Sequence, residues 1–251
     1  MLTIIDILVL IYGLILGSFF NVVAIRLLKN ESLIFPPSHC PHCGNRLRAI
    51  DLIPVVSYLL LKGKCRNCKT SISPLYPFGE LLTALSIFFI YKTVGLSLEL
   101  IPALLITILL VISVLTDIRK QLILDIVTLP MLGLVVISRL FIGTESFWHY
   151  LLGGIVGFSL LLLLAIVSKG GMGGGDIKLY AAIGVALGPL LTVMSLVLAS
   201  FAGAITGLFL MMTGKLKRGQ PLAFGPFIMI GTLISYGYGR EIWDWYLRIF
   251  L

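Results

Sequence analysis

Charge is scarce in this chain: Asp, Glu, Lys and Arg make up 12% of 251 residues, against about 25% in an ordinary soluble domain. With 59% of the residues apolar, one soluble core cannot account for the composition. Polar linkers are scarce too, with one exception between residues 29 and 77. No long internal repeat and no low-complexity tail interrupts the rest, which argues against solenoids and disordered arms. No basic region precedes the first apolar run, whose flanking cations, Arg26 and Lys29, come after it. The run is therefore read as a retained span and not as a removable signal peptide. Cysteine is absent outside residues 40–68.

What is present is a series of apolar runs, each near the roughly 20 residues that carry a helix across hydrocarbon. They predict an all-α membrane bundle of about eight spans, roughly 4–25, 78–95, 98–116, 126–143, 150–167, 177–190, 192–213 and 223–239. The sixth is short and stops at Gly188-Pro189. Small residues at four-residue spacing (Gly13 and Gly17, Gly153 and Gly157, then Ala199, Gly203 and Gly207) predict close helix crossings. Short cytoplasmic loops carry the excess of Lys and Arg. With the N-terminus outside, only four of the nineteen, Lys92, Arg139, Arg240 and Arg248, fall on the outer side. The expected location is thus the cell or plasma membrane, with loops such as Arg119-Lys120, Lys169 and Lys215 to Arg218 in the cytoplasm. The net charge of +8 reads as topology and lipid contact, and no nucleic-acid partner is expected.

Three parts follow: a first span over 1–28, a cytoplasmic insert over 29–77, and a membrane core over 78–251. The insert holds all four cysteines as Cys40-Pro-His-Cys43 and Cys65-Arg-Asn-Cys68, with twenty-one residues between the pairs. Two such turns can present four thiolates tetrahedrally, the donor set of a structural zinc. A reducing cytoplasm disfavours disulfides, and a redox dithiol needs only one pair. His39 and His42 beside the first pair are read as surface residues. Ile53 to Leu61 is apolar but too short to span, so it packs in the insert or lies at the interface.

Two carboxylates stand at one depth. Asp117 ends the third run, and Asp176 opens the sixth after the stretch Gly170-Gly171-Met172-Gly173-Gly174-Gly175. Each has a plain structural role open to it: Asp176 as a helix cap, Asp117 as an interfacial charge paired with Arg119 or Lys120. The glycines weigh against that for Asp176, because they cost ordering entropy and let an extended substrate backbone approach. Two carboxylates in one site share a proton, so that one activates water while the other polarises a carbonyl. That is the chemistry of an aspartic protease.

The chain resembles the bacterial type IV prepilin peptidases (leader peptidase/N-methyltransferases), membrane aspartic proteases of the GxGD type, over nearly its whole length. The resemblance rests on Gly17-Ser18-Phe19-Phe20-Asn21-Val22-Val23 with Arg26, and on the paired cysteine insert running to Tyr76-Pro77 and Glu80-Leu81. It continues through Thr116-Asp117 to Asp125, Gly171 to Leu179, and Pro221 to Phe227. It implies catalysis by Asp117 and Asp176, with Asp125, Gly173, Gly175 and Lys178 in support. It implies prepilin or pseudopilin substrates, cut after Gly at the cytoplasmic face, with the hydrophobic pilin segment in the bilayer. It implies also methylation of the new N-terminus from S-adenosylmethionine, a function of the insert, with no residue assigned to the methyl donor. Two departures stand out. Leu124-Asp125 replaces the usual Pro-Asp, which leaves Asp125 as a second candidate partner for Asp176. Asp51-Leu52-Ile53-Pro54 replaces the frequent Glu-Asn-Ile-Pro, a variant similar to Gram-positive competence enzymes. Glu80 is read as a dipole-favoured helix start or as part of a methyl-donor site.

Other classes make different demands. A cation-coupled transporter using Asp117, Asp125 and Asp176 would place them near the bilayer midplane, and a scaffold gives no reason for paired carboxylates beside a glycine run.

Overall fold

The computed structural model describes residues 3–168, 172–217, 220 and 222–250; Lys169, Gly170, Gly171, Arg218 and Pro221, used in the sequence reading, lie outside them. Every regular element among the described residues is helical. The chain divides into two compact units, residues 1–89 and 90–251.

The first unit opens with α1 (Ile4–Leu28), started by a capping box in which Thr3 and Asp6 bond each other's backbone N–H. After a 3-10 turn (Ala49–Leu52) and the five-residue α2 (Val56–Leu60), α3 (Leu75–Val94) begins, and its last turns belong to the second unit. The small residues of α1 act as predicted. A Cβ on Gly13 would lie 2.6 Å from the Ala84 backbone, and one on Gly17 would lie 2.7 Å from that of Glu80. The segment Ile53 to Leu61 forms no core, since Leu59 and Leu60 are 67% and 78% exposed.

The second unit holds α4 (Leu100–Lys120), α5 (Asp125–Phe141), α6 (Phe147–Val167), α7 (Gly174–Leu187), α8 (Pro189–Met212) and α9 (Gly225–Phe250). Its centre is α7, which packs on α4, α5, α6, α8 and α9. Leu179, Tyr180 and Ile183 of α7 are fully buried, as are Ile106, Leu109 and Leu110 of α4. Gly153 and Gly157 bring α6 against the backbone of α7 at Gly184 and Tyr180. Gly188, at φ +79°, ends α7, and Pro189 supplies the first turn of α8.

Among the described residues, five helices (α1, α3, α4, α6 and α8) are long and apolar enough to cross a membrane. Two of the others are shorter, α5 with 17 residues and α7 with 14. α9 runs on through Arg240, Glu241 and Asp244, well past the end expected at residue 239. Charge at these positions stops an apolar run without stopping a helix.

At the end of the unit where α4 and α9 are joined by Glu99, a buried ionic network ties five elements together. Arg139 is 4% exposed and donates to Glu99 at 2.7 Å, to the Tyr236 hydroxyl at 3.0 Å and to the Ala186 carbonyl. Tyr236 in turn donates to Glu99 at 2.6 Å, and the guanidinium lies 4.2 Å from the centroid of the Tyr150 ring.

Candidate active site and cysteine cluster

Asp117 sits in the last turn of α4, where the helix is still buried, and is 7% exposed. The turn that opens α9 meets it. The Gly225 N–H donates to Asp117 Oδ2 at 2.7 Å, a buried hydrogen bond joining residues 108 apart in sequence. A Cβ on residue 225 would lie 2.9 Å from that same oxygen, so a larger residue there would push the carboxylate aside. The carboxylate thus lies at the positive end of a 26-residue helix.

Asp176 is in the first turn of α7, with Gly173 as the N-cap, and α7 packs on α4, with Ile123 in the loop after α4 lying against Gly175. The structure therefore brings together the two aspartates that the sequence singled out. The glycines from the N-cap to Asp176 have separate duties. A Cβ on Gly173 would meet Asp176 Oδ2 at 3.2 Å, and one on Gly175 would meet Ile123 at 2.7 Å. Gly174 faces open space.

Asp125 is elsewhere. It starts α5 and its Oδ2 accepts from Lys178 Nζ at 2.6 Å, with the two side chains 52% and 42% exposed. The two supporting residues thus pair with each other, and they tie the start of α5 to the start of α7. The hydrogen bond from Gly225 had no signature in the linear sequence beyond the Phe224-Gly225-Pro226 motif itself.

The cysteine pairs form two matching turns. In one, the Cys40 N–H donates to Asn45 O and the Gly44 N–H to Cys40 O; in the other, Cys65 N–H donates to Thr70 O and Lys69 N–H to Cys65 O. Both turns place a left-handed residue after the second cysteine, Gly44 at φ +68° and Lys69 at φ +59°. All four Sγ atoms lie within 4.8 Å of one another, and those of Cys40 and Cys68 are 3.8 Å apart. Metal–sulfur bonds of about 2.3 Å give a tetrahedron edge of about 3.8 Å, so the spacing fits a metal and is far too long for a disulfide. Thr70, through its hydroxyl and its N–H, brings the Cys68 thiol down to about 6, whereas Cys43, against the Asn45 N–H, is pushed up to about 11 by burial and the neighbouring Cys68 and Cys40 thiols.

The first unit also contains a cavity of about 480 Å3, lined among others by Arg26, Asp51, Tyr58, Arg66, Tyr76 and Glu80. Arg66 pairs with Asp51 at 2.7 Å and holds its carboxyl below the usual carboxylate range.

Residues 11–94 match the bacterial peptidase A24 N-terminal domain, and residues 103–208 match the type IV leader peptidase family. A prepilin leader peptidase/N-methyltransferase of Bacillus subtilis is 39% identical over 241 residues, covering 96% of this chain and 97% of the relative. The chain belongs to the type IV leader peptidase family. Relatives of the same name in Aeromonas hydrophila and Pseudomonas aeruginosa are 35% and 33% identical, covering 97% and 95% of this chain and 94% and 92% of their own length. No solved structure matches the chain. As a peptidase A24 family member with five apolar spanning helices, it is a multi-pass membrane protein.

Proposed function

We propose that the chain is a prepilin leader peptidase and N-methyltransferase in which Asp117 and Asp176 are the catalytic pair. The observation that carries the reading is the placement of a buried Asp117, held by the Gly225 N–H at the end of α4, beside the glycine-flanked start of α7 that bears Asp176. Two carboxylates so placed cannot both ionise easily, and one retains a proton at neutral pH. The ionised member takes a proton from water as the oxygen attacks the scissile carbonyl. The protonated member donates to the carbonyl oxygen, and collapse returns a proton to the leaving amine. Open space at Gly174 leaves room for an extended substrate backbone beside the pair. Asp125 is spent on Lys178, which weighs against a carrier that shares one cation among three aspartates.

The substrates are type IV prepilins or pseudopilins, cut after Gly, with the apolar pilin segment in the bilayer. The bias of Lys and Arg puts the N-terminus outside and the catalytic pair at the cytoplasmic face. The four thiolates hold a structural zinc, closed to substrate, which folds the insert. S-adenosylmethionine supplies an electrophilic methyl group for the newly exposed amine. The cavity of the first unit, of ligand-binding size, with carboxylates and tyrosines on its walls, suits it.

The test is cleavage of a leader-bearing pilin by purified protein. Asp117→Ala and Asp176→Ala should each lose at least about 10³-fold in kcat, while Asp125→Ala keeps most activity. Wild-type cleavage by folded Asp117→Ala and Asp176→Ala would sink the peptidase reading. Label from S-adenosylmethionine should appear on the new N-terminus; cleavage without label would leave a peptidase alone.

A further inference from the structure

One buried carboxylate serves neither the aspartate pair nor the cysteine cluster. Glu80, in α3, is 8% exposed, and three neighbours fix it. The absence of a side chain on Gly17 lets α1 close on the Glu80 backbone, where a Cβ would come within 2.7 Å. The Ser18 hydroxyl lies beside the carboxylate. The Val55 N–H donates to Glu80 Oε2 at 2.7 Å.

That last bond is held against strain. Val55 sits at φ +60°, ψ −48°, in a tight turn closed by the Val56 N–H on the Pro54 carbonyl. A β-branched residue rarely adopts this conformation, which costs about 1–3 kcal/mol and is typical of functional sites. The strained turn and the helix packing together hold the Glu80 carboxylate at the wall of the 480 Å3 cavity.

None of the Arg and Lys side chains lining that cavity pairs with it. Arg26 donates to the carbonyls of Ser32 and Pro36, Lys29 pairs with Glu31, and Arg66 pairs with Asp51. Among the described residues Glu80 has no ion-pair partner. A buried carboxylate without a counter-charge is expensive, and its place on a cavity wall calls for a cationic ligand. Asp51, by contrast, is already neutralised. The tyrosines 58 and 76 on the same wall offer faces for a planar ring.

We propose that Glu80 is the residue that binds the sulfonium centre of the methyl donor, so that the site prefers the cationic donor over its neutral thioether product. The inference rests on the methyl-transfer reading above and gives it a residue. Donating the methyl group removes the positive charge from sulfur. The attraction to Glu80 therefore disappears on turnover, and spent product leaves. Glu80 acts in binding, and peptide cleavage does not involve it.

The experiment measures equilibrium binding of S-adenosylmethionine and S-adenosylhomocysteine to the full-length protein in micelles. Wild-type protein should bind the donor more tightly than the product. Glu80→Gln keeps the shape and an acceptor for the Val55 N–H but removes the charge. It should lose that preference by about 10- to 100-fold, the order expected for a close charge–charge attraction in a partly buried site, and still cleave prepilin at the wild-type rate. An unchanged donor-to-product ratio in Glu80→Gln overturns the assignment. Should the variant fail to fold, wild-type protein decides alone, since equal affinity for the two ligands also overturns it. Binding of neither ligand by wild type, with cleavage intact, would instead overturn the methyl-donor reading itself.

Discussion

Between residues 29 and 74 only Cys40, Gly63 and Cys65 are buried, whereas α4 alone buries thirteen residues. The insert has no apolar core to speak of and spends its order on turns around four thiols. The second unit is held by helix packing, with glycines at the crossings, one buried ionic network at an end and the exposed Asp125–Lys178 pair between α5 and α7. With the proposed metal at those thiols, the difference separates what metal supports from what burial supports. It also separates two chemistries, since the cavity with Glu80 lies in the first unit and the aspartate pair in the second.

The largest expected effect comes from removing the metal. Structural zinc contributes about 10–16 kcal/mol in small metal-folded domains, far more than the insert can recover from three buried residues. A chelator, or Cys40→Ser, should open the insert to protease between residues 29 and 74 and abolish binding of the methyl donor. Far-UV circular dichroism should still report the helices of the second unit. Loss of helix in proportion to metal release would break the contrast. Next in size is the ionic network. Arg139→Ala removes the shared donor and leaves Glu99 without its cation, so melting should report a loss of about 3–5 kcal/mol. The protease-resistance of the insert should be unmoved.

A smaller energy, with a sharper readout, is expected at Gly225. Gly225→Ala puts a methyl group 2.9 Å from Asp117 Oδ2, close enough to push the carboxylate aside, and displacement of a reacting group by about 1 Å costs about 10²-fold in rate. The fall should be in kcat, with KM for the leader and the melting temperature nearly unchanged. Gly133→Ala, whose Cβ meets nothing within 4 Å, is the matched control. Equal loss in both variants would mean that helix packing, and not the position of Asp117, was disturbed.

These sites were legible to different degrees, for physical reasons. Apolar runs located the spanning helices because hydrocarbon demands them, and the stop at Gly188-Pro189 appears where the residue types require it. The cysteine cluster was readable from spacing alone, since two turns suffice to build it. Glu80 was readable only as one of two alternatives, a helix start or part of a methyl-donor site, because the contact that fixes it comes from Val55, twenty-five residues earlier and in a conformation that valine does not advertise. The hold of Gly225 on Asp117, which closes over 108 residues, was not readable. Linear pattern reports local periodicity and short motifs, and both of these contacts are made by tertiary packing.

The choice between Asp117 and Asp125 shows the same division and yields the smallest effect. In sequence both aspartates border a helix end and both were candidates. In the fold one is 7% exposed and the other is half-exposed with a lysine at 2.6 Å. A solvent-screened pair of that kind is worth about 0.2–1 kcal/mol. Asp125→Asn and Lys178→Met should therefore each cost at most that much stability, and a double-mutant cycle should find a coupling in the same range. Cleavage should fall only a few-fold, through a looser junction between α5 and the turn that carries Asp176. Salt should weaken the coupling, because the charges are screened. A loss of cleavage in Asp125→Asn as deep as that in Asp117→Ala would move the catalytic role to Asp125 and leave the buried carboxylate at Gly225 a structural one.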